Sequence, residues 1–143
     1  MRPEILIVPG DLDIMWRTIL MEARGEPYEG KVAVGNVIIN RVVYRANDRW
    51  CTVAQACLDW LQFSGWREKD SNFRVAMTAQ LDAVALTCLR AACEALTRPD
   101  TTSGSRHYYA PGAMVPKGSV PPWAVGLTPI AKIGGQLFFN NVA

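Results

Sequence analysis

Two glutamates carry most of the acid–base chemistry this sequence can offer. Glu22 falls in the last turn of a predicted helix, about 20° of helical rotation from Met15, which places it beside the apolar face. A carboxylate there sits at the negative end of the helix macrodipole and loses water to its apolar flank, and both effects disfavour the ionised form. A carboxyl group that keeps its proton near neutral pH is a general acid. Arg24, in the same turn, is the cation that a solvated helix end would carry, so the residues alone leave Glu22 open between an acid catalyst and a surface carboxylate. Glu26 follows four residues later. Gly25 ends the helix and Pro27 pushes Glu26 out of the α region, so the two carboxylates do not stack on one face. Glu26 is expected to accept hydrogen bonds from the start of the next helix.

Other chemistries are narrowed by count. His107 is the single histidine, whereas the commonest zinc hydrolase sites use two or three. No metal or other cofactor is expected, and His107 reads as a structural hydrogen-bonding residue. The four cysteines, Cys51, Cys57, Cys88 and Cys93, fit no C-x-x-C spacing and are expected to be reduced and mostly buried. Cys51 or Cys57 could pair with His107 as the nucleophile and base of a papain-like peptidase, since Cys51 precedes the helix cap Thr52. No polar third residue follows the histidine at a clear spacing.

Periodicity supplies the elements that must hold these groups. Leu12, Trp16, Ile19, Leu20 and Ala23 recur at the spacing of one buried face and predict a helix over residues 11–24, stopped by Gly25. Residues 29–44 predict a second helix that is apolar on nearly every side and therefore central, with Gly35 marking a close helix crossing. Thr52 caps a short helix ending near residue 61. Residues 62–66 read as a loop, 67–72 as a polar stretch, and 78–97 as another long helix. Beyond Pro99 the composition turns to proline and glycine, with extended pieces only at 107–109 and 137–140. Trp16, Trp50 and Trp60 are expected in the core, and Asn36 and Asn40 are expected to tie down buried loops. The fold class is α+β, mostly α, with a small irregular β part.

The chain has 143 residues, half of them apolar, and a formal charge of only +2. One domain over residues 1–143 follows, acting as a monomer, and no nucleic-acid partner is expected. The first ten residues hold no signal core or cleavage site, and no apolar stretch reaches spanning length, so no stable membrane insertion is expected. The product is expected to begin in the cytoplasm of the cell that makes it.

The run Glu22-Ala23-Arg24-Gly25-Glu26-Pro27-Tyr28-Glu29-Gly30-Lys31-Val32-Ala33-Val34-Gly35-Asn36-Val37-Ile38-Ile39-Asn40-Arg41 resembles the opening block of the SleB-type cell wall hydrolases, also called spore-cortex-lytic enzymes. Gln62-Phe63-Ser64 with Trp66 follows in the family's order. So do His107-Tyr108-Tyr109-Ala110-Pro111, Pro122-Trp123 and Ile133-Gly134. The resemblance spans nearly the whole chain. It implies a lysozyme-like fold and metal-free cleavage of peptidoglycan glycan strands, with Glu22, the first glutamate of the E-A-x-G-E motif, as catalytic acid/base. The family often continues I-G-N-H-x-F-Y, whereas here Gly135, Gln136, Leu137, Phe138 and Phe139 follow Gly134. A role for that histidine therefore does not transfer, although Gln136 could hydrogen-bond a sugar.

Glycoside cleavage usually uses two carboxylates about 5–10 Å apart, and only Glu22 is well placed. One suffices if the C6 hydroxyl of muramic acid is the nucleophile and a 1,6-anhydro ring closes, which is lytic transglycosylation. A hydrolytic muramidase, with Glu26 or Asp59 positioning water, is the alternative. For the sugar, Gln62, Ser64, Tyr108 and Tyr109 offer hydrogen bonds and Phe63, Trp66 and Trp123 offer flat faces. A noncatalytic wall-binding or virion module would be suggested by loss of Glu22, which is present. The setting this fits is a phage endolysin, reaching the bacterial wall after holin-type release.

Overall fold

The computed structural model describes residues 7–45, 52–59 and 62–143. Cys51, Trp50 and Trp60 lie outside the described residues. Helix α1 (Asp11–Ala23) buries Met15, Trp16, Ile19, Leu20 and Ala23. Leu12, expected on that face, is 37% exposed, and Met15 takes its place. Asp11 is buried because both carboxylate oxygens are used: one accepts Val8 N–H and the other Ala54 N–H, each at 2.9 Å. That second bond ties the start of α1 to helix α3 (Val53–Leu58). Thr52 caps α3 through a reciprocal pair, with Gln55 N donating to Thr52 Oγ1 and Thr52 N to Gln55 Oε1, which satisfies two otherwise orphaned donors. The helix ends sooner than its apolar pattern suggested.

Helix α2 (Tyr28–Arg45) is buried without interruption from Gly30 to Ile39, as its all-round apolar sequence requires. Helix α5 (Ala83–Thr97) lies across it and presents Ala85, Cys88, Ala91, Ala92 and Ala95. At the crossing a Cβ on Gly35 would stand 2.8 Å from Ala95 Cβ and 3.3 Å from Met15 Cε. No side chain larger than hydrogen fits there without displacing α5, so the expected close crossing is found.

The helix expected over 78–97 is found but starts later, at Ala83, and a separate helix that was not expected lies before it. Helix α4 (Ser71–Thr78) precedes α5, and the two are bent by 87°. Each start has its own aspartate cap: Asp70 accepts from Asn72 N at 2.8 Å, and Asp82 accepts from Ala85 N at 2.9 Å. These two Asx caps set separate helix starts, and the first lies in the stretch 67–72 that was read as polar.

The remaining chain forms a three-stranded antiparallel sheet of order β1-β3-β2, from β1 (His107–Tyr109), β2 (Ala131–Ile133) and β3 (Gln136–Phe139). Strand β2 was not foreseen. Phe138 of β3 is fully buried against Ala33 and Val37, which docks the sheet onto α2. Asn36 and Asn40 fasten the loop that delivers β1. Asn36 Nδ2 donates to Thr101 Oγ1 at 2.9 Å, and Asn40 Nδ2 donates to Asp100 Oδ2 at 3.0 Å and Ser105 O at 2.9 Å. No single helix among the described residues is long and apolar enough to cross a membrane.

Candidate active site

Glu22 stands where two cavities meet. The first, about 400 Å³, is lined by Glu22, Arg41 of α2, Gln62 and Phe63, His107 and Tyr108 of β1, and Trp123. The second, about 490 Å³, runs between the end of α1 and the β2–β3 turn, past Glu26, Ala110, Gly112, Ala113, Gly135 and Gln136. Among the described residues, Glu22 is the one common to their linings. A further cavity of about 330 Å³ continues the first past Arg41, Gln62 and His107 toward Tyr44 and Arg106. A polymer laid along this groove would present a link between two of its units to Glu22.

The carboxyl of Glu22 is held above the usual carboxylate range. Burial is the main cause, with a smaller contribution from the negative charge of Asp70; the guanidinium of Arg41 and a hydrogen bond from Tyr108 pull the other way. Removal of water therefore outweighs the nearby cation. Arg24 does not answer Glu22 as a solvated helix end would. Its Nη1 donates to Asn72 Oδ1 at 2.8 Å and reaches Met21 O at 3.3 Å and Leu20 O at 3.4 Å, so it satisfies the end of α1.

Arg41 is the candidate site residue that sequence reasoning missed. It closes the family-like run, and the available signal was a cation one residue after Asn40 on a largely buried helix. Its Nε donates to Arg106 O at 2.7 Å and its guanidinium lies 4.9 Å from the Phe63 ring centroid. Burial lowers its pKa, yet a guanidinium stays charged at any working pH. Tyr108, driven well above its usual pKa by burial and by Glu22, keeps its proton and donates to the Glu22 carboxyl. His107 is pushed down to about 4 by burial and by Arg41 and Arg106. It is neutral at physiological pH, and its ring lies 5.2 Å from that of Trp123. Among the described residues its contact is this ring packing on Trp123.

The groove recruits only part of the expected sugar-binding set. Trp123 lines it, packed at 5.2 Å on Phe139 and at 5.8 Å on Tyr109. Tyr109 itself stacks on Phe139 and supports Trp123 rather than lining the cavities. Gln62 lines two cavities. Phe63 borders the first but is buried, with one face covered by Arg41. Ser64, exposed, opens the 3-10 turn Ser64–Trp66 outside the groove. Trp66 is turned inward, its Nε1 donating to Thr18 Oγ1 at 2.9 Å and its partly buried ring packed against the core, and it lines none of these three cavities.

Glu26 is corrected in its partner. Its carboxylate accepts from Gly135 N at 3.0 and 3.4 Å, in the β2–β3 turn rather than the start of α2. Glycine permits the approach: Gly134 has φ of 59°, and a Cβ there would lie 2.7 Å from Pro27 Cδ. Gln136 is 3% exposed, and its Nε2 donates to the main-chain oxygen of Glu22 at 3.3 Å. Asp59 ends α3 and lines none of these three cavities. Cys57 is buried with its thiol pushed up to about 12, which removes it as a ready nucleophile. Cys88 is buried and Cys93 exposed, and all three of these thiols are free.

A mostly helical body with one small antiparallel sheet, and a groove that passes the half-buried carboxyl of Glu22, define a lysozyme-like α+β protein. The chain belongs to the Cell Wall Hydrolase family, which matches residues 25–139. It is 29% identical over 133 residues to the spore cortex-lytic enzyme of Halalkalibacterium halodurans, covering 91% of this chain and 34% of that one. It is 27% identical over 128 residues to the spore cortex-lytic enzyme of Bacillus subtilis, covering 90% and 37%. The chain thus spans about a third of the length of these curated relatives. Among solved structures it resembles the catalytic domain of the germination-specific lytic transglycosylase SleB from Bacillus anthracis, with a TM-score of 0.69, 26% identity and coverage of 92% and 94%. The catalytic domain of the Bacillus cereus SleB protein shares the fold at a TM-score of 0.71 and 24% identity, with coverage of 96% and 95%.

Proposed function

We propose that the chain cleaves the glycan strand of peptidoglycan between N-acetylmuramic acid and N-acetylglucosamine as a lytic transglycosylase, with Glu22 as its acid and base. The observation that carries this reading is the single carboxyl, raised by burial, at the junction of the two cavities. Its proton passes to the glycosidic oxygen as the C1–O bond breaks. The carboxylate left behind, steadied by Tyr108 and Arg41, then takes the proton of the muramic C6 hydroxyl as the O6–C1 bond closes. Proton count is restored and no water is consumed. Likeness to a solved domain described as a lytic transglycosylase supports the same chemistry.

Hydrolysis is the second reading, because Glu26 lines the same cavity as Glu22. Its carboxylate is engaged by Gly135 N, which favours the first. The proposed setting is lysis of a bacterial host by an endolysin after holin-type release; expression with and without a holin, followed as culture lysis, tests it. The activity itself is tested on purified peptidoglycan by measuring new glycan ends and new free amino groups. New glycan ends without new amines, lost in Glu22→Gln, are expected. New amines without glycan ends would make the enzyme a peptidase.

A further inference from the structure

The amide of Gln136 is half used. Its Nε2 faces the Glu22 carbonyl, an acceptor only, and this fixes the orientation of the group: rotated by half a turn, two oxygens would oppose each other. Oε1 is therefore committed to the other side. It is buried and meets no protein donor, the only such side-chain atom among the described residues. A buried acceptor without a donor is destabilising, so one kept in a fold calls for a partner from outside the chain or a structural reason. Gln136 lines the cavity that also holds Glu22 and Glu26. The other walls there include Ala110, Gly112, Ala113 and Gly135, whose side chains carry no donor.

We propose that Gln136 Oε1 reads an amide N–H of the bound glycan, the 2-acetamido group of the sugar seated between Glu22 and Glu26, while Nε2 holds the main chain of Glu22. An acceptor that cannot donate selects a donor. The acetamido N–H is a donor only, whereas a hydroxyl in its place is free to turn toward other partners. Substrate selection and placement of the acid then meet in one side chain, because its two ends touch the sugar and the Glu22 backbone. This rests on the reading of the groove as a glycan site.

The test compares wild type with Gln136→Met, which keeps length and removes both polar ends. Purified peptidoglycan gives KM and kcat, and chitotetraose and cellotetraose give binding constants by calorimetry. The expected result is a KM for peptidoglycan raised about 2- to 12-fold, the ratio of one neutral hydrogen bond, with kcat lowered less. The preference for chitotetraose over cellotetraose should shrink by the same factor, while the melting temperature is unchanged or higher. A lower melting temperature with KM and preference unchanged assigns Oε1 to internal structure and overturns the proposal. If wild type solubilises the wall but both KM and preference are unchanged in the variant, the proposal fails and the proposed function stands. If wild type neither solubilises the wall nor binds chitotetraose, both fail. Should Gln136→Met not fold, the Gln136 side-chain amide resonance of wild type serves instead: it should move on addition of chitotetraose and stay in place with cellotetraose, and no movement with either overturns the proposal.

Discussion

Replacing Glu22 with glutamine separates its catalytic and structural roles, because the two respond to pH in different ways. In the unfolded chain this glutamate ionises near its ordinary pKa, whereas in the fold burial raises it. Every tenfold change in that ionisation equilibrium sets about 1.4 kcal/mol against folding at neutral pH. A group whose folded pKa is raised contributes fully below its unfolded pKa, and the contribution is lost as pH rises through the folded value. The parent therefore gains stability relative to Glu22→Gln as the solution is acidified toward pH 4.5, and the variant compares best at pH 7. Against this gain, glutamine accepts the Tyr108 hydrogen bond without charge, a loss of about 1 kcal/mol. The two terms oppose each other, so the melting temperature at neutral pH should stay within about 4 °C of the parent. Wall-clearing activity should fall by about two to four orders of magnitude, the usual contribution of a positioned general acid. Turbidity loss of peptidoglycan suspensions and thermal unfolding between pH 4 and 8 measure both. Near-parental clearing would refute the catalytic assignment. A variant that is markedly less stable at pH 7 and catches up in acid would show that the fold stabilises the ionised carboxylate, refuting the electrostatic argument.

Glu26→Gln weakens the bond to Gly135 N, so it should lose about 0.5–1.5 kcal/mol, seen as a lower melting temperature, while turnover of the folded protein falls far less than in Glu22→Gln. Parental stability with catalysis abolished would instead make the two glutamates a pair. Trp123→Ala removes ring contacts to His107, Tyr109 and Phe139, each worth about 0.5–1.5 kcal/mol. It should lower the melting temperature and raise KM on peptidoglycan, with Trp123→Phe recovering part of both; an unchanged KM would remove this face from the sugar site. Cys57→Ser, assayed with and without EDTA, should keep its activity wherever it remains folded, and a folded but inactive variant would revive the thiol scheme.

What could be read in the sequence follows the range of the interactions involved. Helices α1 and α2 were legible because Trp16, Ile19 and Leu20, and the unbroken apolar run of α2, repeat a local period that packing then rewards. Helix α4 was not, because Ser71–Thr78 is only about two turns long and its start depends on the Asp70 side chain. Glu22 was legible as a candidate from its position and motif, though the cause given first differs: burial, rather than the helix end, leads the rise in its pKa. The partner of Glu26 was not legible, since Gly135 lies 109 residues away and arrives only when β2 and β3 pair. Trp66 and Trp123 are both loop aromatics in sequence. Thr18 turns the first inward, and the Tyr109–Phe139 pair leaves the second lining the groove. Arg41 was not singled out, because only the return of β1 beside α2 gives its charge a place near Glu22.

The central claim is that one carboxyl does the work of two because the substrate supplies its own nucleophile. Mass spectrometry of muropeptides released from purified peptidoglycan in heavy-oxygen water tests it most directly. Transglycosylation leaves 1,6-anhydro-muramic ends, one water lighter than reducing ends and free of solvent oxygen, and these are expected. Reducing muramic ends carrying one heavy oxygen would contradict it and make the enzyme a hydrolase.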